Sequence, residues 1–389
     1  MSKTKPNNKK ILDQNIKNKL LQQNKTQRIH LSLILHALGD TIGYYNSNWE
    51  FNYNYLNADF GFVYELISEF IDLGGINCID LKGWKVSDDT VLHICVGNAL
   101  VSSNNVKEFV KILKKNMVNS LEDISKRHPG MNTIRKLKLL KKNHNMKFEF
   151  DEFSGGSGGS MRSPVIGLFF DKIQDQNKII RYALESALIT HNHPTGYLGA
   201  IATALFTNYA INRVPIETWC FNMLKIIESP ELDGHIKQEY PKLHSTFKDY
   251  KHSFIGKWKS YIKDKFTKKK EIRLRIRNLA ERGAFYTNNF SWKHPKNKGF
   301  ETFIGSSGDD SLIVAYDSLL DSDHCFEKLV IYSMLHIGDT DTTGCIAGAL
   351  YGAYYGDKYI PENITQNIEK NLEYKKQIDD LYDSIKNKE

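Results

Sequence analysis

Residues 338–356 read GDTDTTGCIAGALYGAYYG. Asp339 and Asp341 stand among hydroxyls at its head, and Gly344, Gly348, Gly352 and Gly356 then recur at four-residue intervals. That spacing puts the glycines, with Ala347, Ala349 and Ala353 nearby, along one stripe of an α-helix. Each glycine costs about 0.8–1 kcal/mol relative to alanine in a helix interior, which an exposed helix would not recover. The stretch therefore predicts a central helix packed closely against another backbone, with an acidic turn at its N-terminus.

Working outward, Val86-Ser87-Asp88-Asp89-Thr90 repeats the same chemistry: two acids with hydroxyls, opening an apolar helical run. Leu31, Ile34, Leu35 and Leu38 keep helical spacing up to Gly39-Asp40, where the run is expected to stop. Val63, Leu66, Phe70 and Leu73 do so before Gly74-Gly75. Residues 106–117, 182–189 and 198–211 have similar patterns. Strand signals are sparse, KFEFDEF at 147–153 being the clearest alternation, and no 20–50-residue repeat is visible. The expectation is an all-α fold, a compact orthogonal multi-helix bundle.

The chain has 389 residues, 41% hydrophobic and 25% charged, which is globular composition. Its net charge is +8, from 53 bases and 45 acids. Residues 1–28 hold eight Lys/Arg against one acid (+7), and residues 257–277 hold ten against two (+8), leaving about −7 elsewhere. Such a body does not attract nucleic acid, and no nucleic-acid partner is expected. Residues 1–28 read as a disordered basic tail before one compact domain, 29–389. Residues 257–277, alternating bases with Trp258, Tyr261, Ile262 and Phe266, read as an exposed amphipathic helix fraying into a charged loop. The five cysteines are scattered without a CxxC pair, which fits a reducing compartment. The first residues, MSKTKPNNKKILDQN, do not read as a secretory signal. The weakly polar run Thr343 to Gly356, 14 residues, is too short to span a bilayer. A cytoplasmic, monomeric protein without a membrane partner is expected.

Either acidic segment alone could be ordinary helix capping, since Ser, Thr and Asp accept from orphan N–H groups. Both together hold more acids than caps require. Four carboxylates meeting in one interior repel unless a cation joins them, and oxygen donors without His or Cys suit Mg²⁺ or Mn²⁺ rather than zinc. Gly155-Gly156-Ser157-Gly158-Gly159-Ser160 runs into SPVIGLFF and reads either as a linker or as a loop presenting backbone N–H groups to phosphate. No GK[ST] follows it, so it is not a Walker A loop. His191 and His193, in THNHPTGY (190–197), fit core or capping positions as well as ligand contacts. Gly305-Ser306-Ser307-Gly308-Asp309-Asp310 reads as a turn before another apolar run.

In order, GDTIGYYNSNWEF (39–51), WKVSDDTVLH (84–93), GGSGGSMRSPVIGL (155–168), THNHPTGYLGA (190–200), GSSGDDSLIVAYD (305–317) and GDTDTTGCIAG (338–348) resemble the ADP-ribosylglycohydrolase family. They are most similar to its ADP-ribosylarginine hydrolase branch. The resemblance covers about residue 29 to about residue 385 and implies an all-α fold. It implies a two-ion magnesium site, with Mn²⁺ as the alternative, held by Ser87, Asp88, Asp89, Asp339, Asp341 and Thr342. Asp88 and Asp89 would act in catalysis, joined by Glu50, which matches a mobile-loop glutamate. Gly155, Gly156, Ser157, Gly158, Gly159 and Ser160 match the loop around the ADP-ribose phosphates and distal ribose. His191, Gly308, Asp309 and Asp310 match further ligand-side positions. Asp309 stands where the arginine branch usually has histidine, and an acid facing a pyrophosphate is unfavourable. Ser157 and Ser160 also depart from the commoner Asn or Cys, and Ala.

The implied activity is magnesium-dependent hydrolysis of the N-glycosidic bond between ADP-ribose and arginine on mono-ADP-ribosylated proteins. The alternatives are a non-catalytic ADP-ribose-binding pseudoenzyme and a hydrolase of serine- or O-acetyl-linked ADP-ribose.

Overall fold

The structure is a computed structural model and describes residues 24–51, 60–273, 278–290, 303–357 and 360–388. Nine of the helices matter to the description below: α1 (Lys25–Tyr44), α2 (Asp88–Val101), α3 (Met131–Lys142), α4 (Gln176–Leu188), α5 (Pro194–Ile211), α6 (Pro241–Lys265), α7 (Leu279–Phe290), α8 (Asp310–Ser322) and α9 (Thr340–Tyr355). Further helices complete the fold, and the described residues contain no β-strand, only two isolated bridges. The fold is all-α.

The glycine stripe does what its spacing predicts. α9 lies against α1 so closely that a Cβ at Gly344 would come within 2.6 Å of the Gly39 carbonyl oxygen, and one at Gly352 within 2.8 Å of that of Leu31. Backbone contact allows hydrogen bonds across the pair: Ser32 Oγ donates to Ala349 O and Thr340 Oγ1 to Gly43 O, each at 2.7 Å. Both helices are buried nearly all round, as helices in the centre of a bundle are.

Three readings change. α1 does not stop at Gly39-Asp40 but runs to Tyr44, because Gly39 and Gly43 are the positions where α9 approaches. α1 also begins at Lys25, so 25–28 is helix rather than tail. Arg28 is buried there, donating to the carbonyls of Ile211 and Ala353; residues 1–23 lie outside the described residues. Finally, α6 is not a solvated helix over 257–265: Trp258, Tyr261 and Lys265 are buried. Lys265 and Arg282 on α7 share Asp317 and Asp321 of α8, a buried network that composition alone reads as surface charge. The remainder of that charged loop, 274–277, lies outside the described residues. The alternating segment KFEFDEF is irregular, having no strand to pair with. No described helix is long and apolar enough to cross a membrane.

Candidate active site

The N-terminal ends of α2 and α9 meet beside the C-terminal end of α1, so acids about 250 positions apart converge. Thr342 Oγ1 donates to Asp89 Oδ2 at 2.9 Å, a contact spanning 253 positions. Asp339 caps α9, and one of its oxygens accepts from Ser157 Oγ at 3.0 Å, tying the glycine loop to the acids. Ser87 caps α2 and accepts from Asp89 N. Glu50 reaches the same place from the turn after α1, where Phe51 N donates to Gly338 O at 3.1 Å. One oxygen from each of Glu50, Asp339 and Asp341 falls within 4.8 Å of the others.

Asp88, Asp89, Asp341 and Glu50 all have pKa values pushed well above the ordinary carboxylate range, first by burial and then by neighbouring carboxylate charge, that of Asp339 on Asp341 and that of Asp341 on the other three. Asp339 rises to about 6 for want of solvent. Buried acids of this density call for a counter-ion. Glu50 Oε2 is buried without a hydrogen-bond partner, and Arg162, the buried guanidinium that lowers the Asp88 pKa by its field, spends its donors on Gly158 O, Ser186 and Thr190 rather than on a carboxylate. The donor set is carboxylates and hydroxyls, and it fits a hard divalent cation.

These acids lie in a cleft of about 900 Å³. Asp88, Asp89, Asp339, Asp341, Thr342 and Glu50 line it, as do Gly156, Ser157, Gly158 and His191. Ser87 sits just behind, its hydroxyl easing the charge on Asp341. Opposite the acids, α3 and the loop after it contribute Met131, Phe148, Phe150 and Phe153, an apolar wall suited to a planar ring.

Several expected ligand positions face elsewhere. Gly155 O accepts from Gly308 N, Gly159 packs on the Gly196 carbonyl, and Ser160 Oγ donates to Gly308 O. Gly308 itself lies against Thr195 and Gly196. Asp310 is a cap for its own loop, accepting from Gly305 N and from Ser307 N. Asp309 is likewise absent from the cleft lining. Its carboxylate pairs with Lys257 of α6 at 2.8 Å and accepts from Ser307 Oγ, so the charge is neutralised behind the wall. These six positions are not among the residues that line the cleft.

Sequence reasoning passed over three residues. Asp40 accepts from Ser87 N at 2.9 Å and Thr90 N at 3.0 Å, fixing the start of α2, and burial with the nearby Asp341 charge pushes it up to about 7. The signal was present: Gly39-Asp40-Thr41 repeats Gly338-Asp339-Thr340. Lys136 is 1% exposed and donates to Ser154 Oγ and Asn192 Oδ1, joining α3 to the loops on either side. Arg162 is wholly buried under the glycine loop. Neither cation carries a local pattern that marks it as interior.

Fold and cleft together define an all-α protein with an acid-headed, ring-walled pocket reached by a glycine loop. The profile of the ADP-ribosylglycohydrolase family matches residues 21–389. Protein L444 of Acanthamoeba polyphaga mimivirus, provisionally named an ADP-ribosyl glycohydrolase, is 37% identical over 322 residues, 81% of this chain and 61% of its own length. The chain thus spans about three fifths of that relative. ADP-ribosylhydrolase ARH1 of Dictyostelium discoideum is 33% identical over 343 residues, 82% of this chain and 84% of its own length. ADP-ribosylhydrolase ARH3 of Gallus gallus is 31% identical over 156 residues, 38% of this chain and 41% of its own. A solved structure titled ADP-ribosylglycohydrolase-related protein complex shares the fold, with TM-score 0.54 at 15% identity over 93% of this chain and 97% of the other. The chain belongs to the ADP-ribosylglycohydrolase family.

Proposed function

We propose that the protein hydrolyses the N-glycosidic bond joining ADP-ribose to arginine on mono-ADP-ribosylated proteins, using two Mg²⁺ ions. The observation that carries the reading is the convergence of Asp88 and Asp89 with Asp339, Asp341 and Glu50 at the head of a cleft large enough for a nucleotide sugar. Ser87, Asp88, Asp89, Asp339, Asp341 and Thr342 would hold the ions, which when bound would orient ribose hydroxyls and lower the pKa of a water. The chain's own groups then have distinct tasks. A carboxylate of the Asp88–Asp89 pair takes the proton of the attacking water. The water's oxygen bonds to the anomeric carbon as the carbon–nitrogen electron pair leaves on the guanidine nitrogen, through an oxocarbenium-like transition state, and that nitrogen takes up the proton the carboxylate received from the water. Glu50, with one oxygen at the cleft free of hydrogen bonds and 3.9 Å from His128 Nδ1, offers a counter-charge to the guanidinium. Gly156, Ser157 and Gly158 bring backbone close to the phosphates and ribose, and the Phe148–Phe153 wall receives the base. The NWEF (48–51) and THNHPTGYLGA (190–200) segments favour arginine over serine or O-acetyl linkages. We further propose that the chain acts as a cytoplasmic monomer, the tail preceding a single catalytic domain.

The test is a panel of arginine-, serine- and O-acetyl-linked ADP-ribose substrates with and without Mg²⁺. Metal-dependent release from arginine alone is expected, and Asp88→Asn should cut it about 100-fold or more at unchanged fold. Release only from serine or O-acetyl substrates would refute the arginine assignment. ADP-ribose binding without any turnover would identify a pseudoenzyme.

A further inference from the structure

His191 lies in the cleft with its two ring nitrogens in different settings. Nδ1 is 2.8 Å from Thr190 Oγ1. The opposite edge of the ring lies under the glycine loop: a Cβ at Gly158 would come within 2.6 Å of Cε1 and 3.0 Å of Nε2. Thr190 Oγ1 is in turn 2.9 Å from Nη2 of Arg162. All three side chains are buried, Arg162 and Thr190 completely.

The direction of each hydrogen bond follows from what the groups can do. A guanidinium only donates, so Thr190 Oγ1 accepts from Arg162. The hydroxyl has one proton, and Nδ1 is the acceptor in reach, so Thr190 donates to His191 Nδ1. Were Nδ1 protonated, Thr190 Oγ1 would receive two donors and its own buried O–H would have no acceptor, an arrangement native interiors avoid. The partner of one ring nitrogen decides which nitrogen carries the proton.

From this geometry we propose that Arg162 and Thr190 are positioning residues that lock His191 as the Nε2–H tautomer, presenting a hydrogen-bond donor to an oxygen of the bound phosphate–ribose ligand. Burial, with Arg162 and Lys136 nearby, holds the His191 pKa well below its ordinary value and keeps the ring neutral, with one proton to place. The same Arg162 fixes the other side of the contact, because Nη1 donates to Gly158 O at 2.7 Å. One buried cation thereby sets both the glycine loop and the imidazole that faces it. Asn132 reinforces the arrangement, its amide donating to Thr190 O.

The identity of the ligand rests on the function proposed above; the tautomer does not. Selective ¹⁵N-histidine labelling of the full chain reads the tautomer without ligand, with His191 assigned by its loss in His191→Gln. The expected result is an imine-type Nδ1 and a protonated Nε2. In Thr190→Val the preference should be lost and ADP-ribose should bind about tenfold more weakly by calorimetry, the loss of one hydrogen bond to an oxygen acceptor. Thr190→Ser should restore both. If Thr190→Val weakens ADP as much as ADP-ribose, the acceptor is a phosphate oxygen; if it weakens ADP-ribose alone, the acceptor is on the distal ribose. A protonated Nδ1 in the unaltered protein would overturn the proposal, as would a Thr190→Val variant with unchanged tautomer and affinity. A protein that binds ADP-ribose through an Nε2–H imidazole yet releases none from arginine would sink the hydrolase reading and leave this one standing.

Discussion

Removing divalent cations should make the protein's stability fall steeply with rising pH, and adding them should offset part of that fall. Asp339, pushed up to about 6 by burial, and Asp40, pushed up to about 7, hold protons in the folded metal-free chain that the unfolded chain has already released. Where the folded state binds more protons, stability decreases as pH rises. The loss therefore begins near the ordinary carboxylate value of 3.8 and is complete above the folded values of about 6 and 7. For Asp339 alone the difference, 6 less 3.8, corresponds to about 3 kcal/mol. A cation at a hundred times its Kd adds about 2.7 kcal/mol. At about 2.1 cal/mol/K per residue, a folded unit of roughly 340 residues has an unfolding entropy of about 0.7 kcal/mol/K, so the gain is about 4 °C in Tm. Thermal melts in EDTA and in MgCl₂, at pH 5.0 and 7.5, make the measurement. A Mg²⁺ shift near 4 °C at pH 7.5 that shrinks to about 1 °C at pH 5.0 is expected, because protons compete with the ion for the same oxygens. Equal shifts at both pH values, or none at pH 7.5, would refute the assignment of these acids to a cation.

Two further perturbations test the packing that holds the site. Lys257→Met leaves Asp309 buried without its partner and should cost about 3 kcal/mol in urea unfolding, while adding Asp309→Asn should recover most of it. Gly348→Ala drives a Cβ into the Leu35 carbonyl and should cost about 2 kcal/mol by strain, whereas Gly256→Ala, with nothing within 4 Å, should gain about 0.5–1 kcal/mol.

What the sequence discloses is whatever is written locally. The stripe Gly344–Gly356 and the spacing of Leu31, Ile34, Leu35 and Leu38 predict α9 and α1 because helical period is a short-range property. The acid pairs at 88–89 and 339–341 are conspicuous because two caps do not need four carboxylates. Long-range pairing is not written in that way. Lys257 looks like surface charge until α6 lays it over Asp309, 52 positions away, and composition cannot tell Lys265, sealed against Asp317 and Asp321, from its exposed neighbours. KFEFDEF has the alternation of a strand, but a strand exists only with a partner, and its phenylalanines are spent on the cleft wall. Asp40 was hidden for a different reason: Gly39-Asp40 has the chemistry of a helix end, and only contact with α9 reveals a helix that continues.

That contact also explains why a costly glycine stripe sits next to the acids. With side chains at Gly39 and Gly43, α1 would stand off from α9 by more than a methyl group, and Asp40 could no longer reach Ser87 N and Thr90 N while lying near Asp341. Asp40 anchors the first turn of α2, which carries Asp88 and Asp89, and Thr340 Oγ1 anchors the first turn of α9, which carries Asp341, to Gly43 O on the same helix. Both acidic turns are thus referenced to four residues of α1 as well as to each other through Thr342 and Asp89. Repulsion between them is then borne by backbone hydrogen bonds to a rigid helix, which keeps the oxygens in place when the cation leaves. Widening the α1–α9 contact should accordingly weaken cation binding before it unfolds the protein. Gly43→Ala, whose Cβ would meet the Thr340 carbonyl, is the substitution in which the Mg²⁺-dependent Tm shift should fall furthest relative to the loss of metal-free stability.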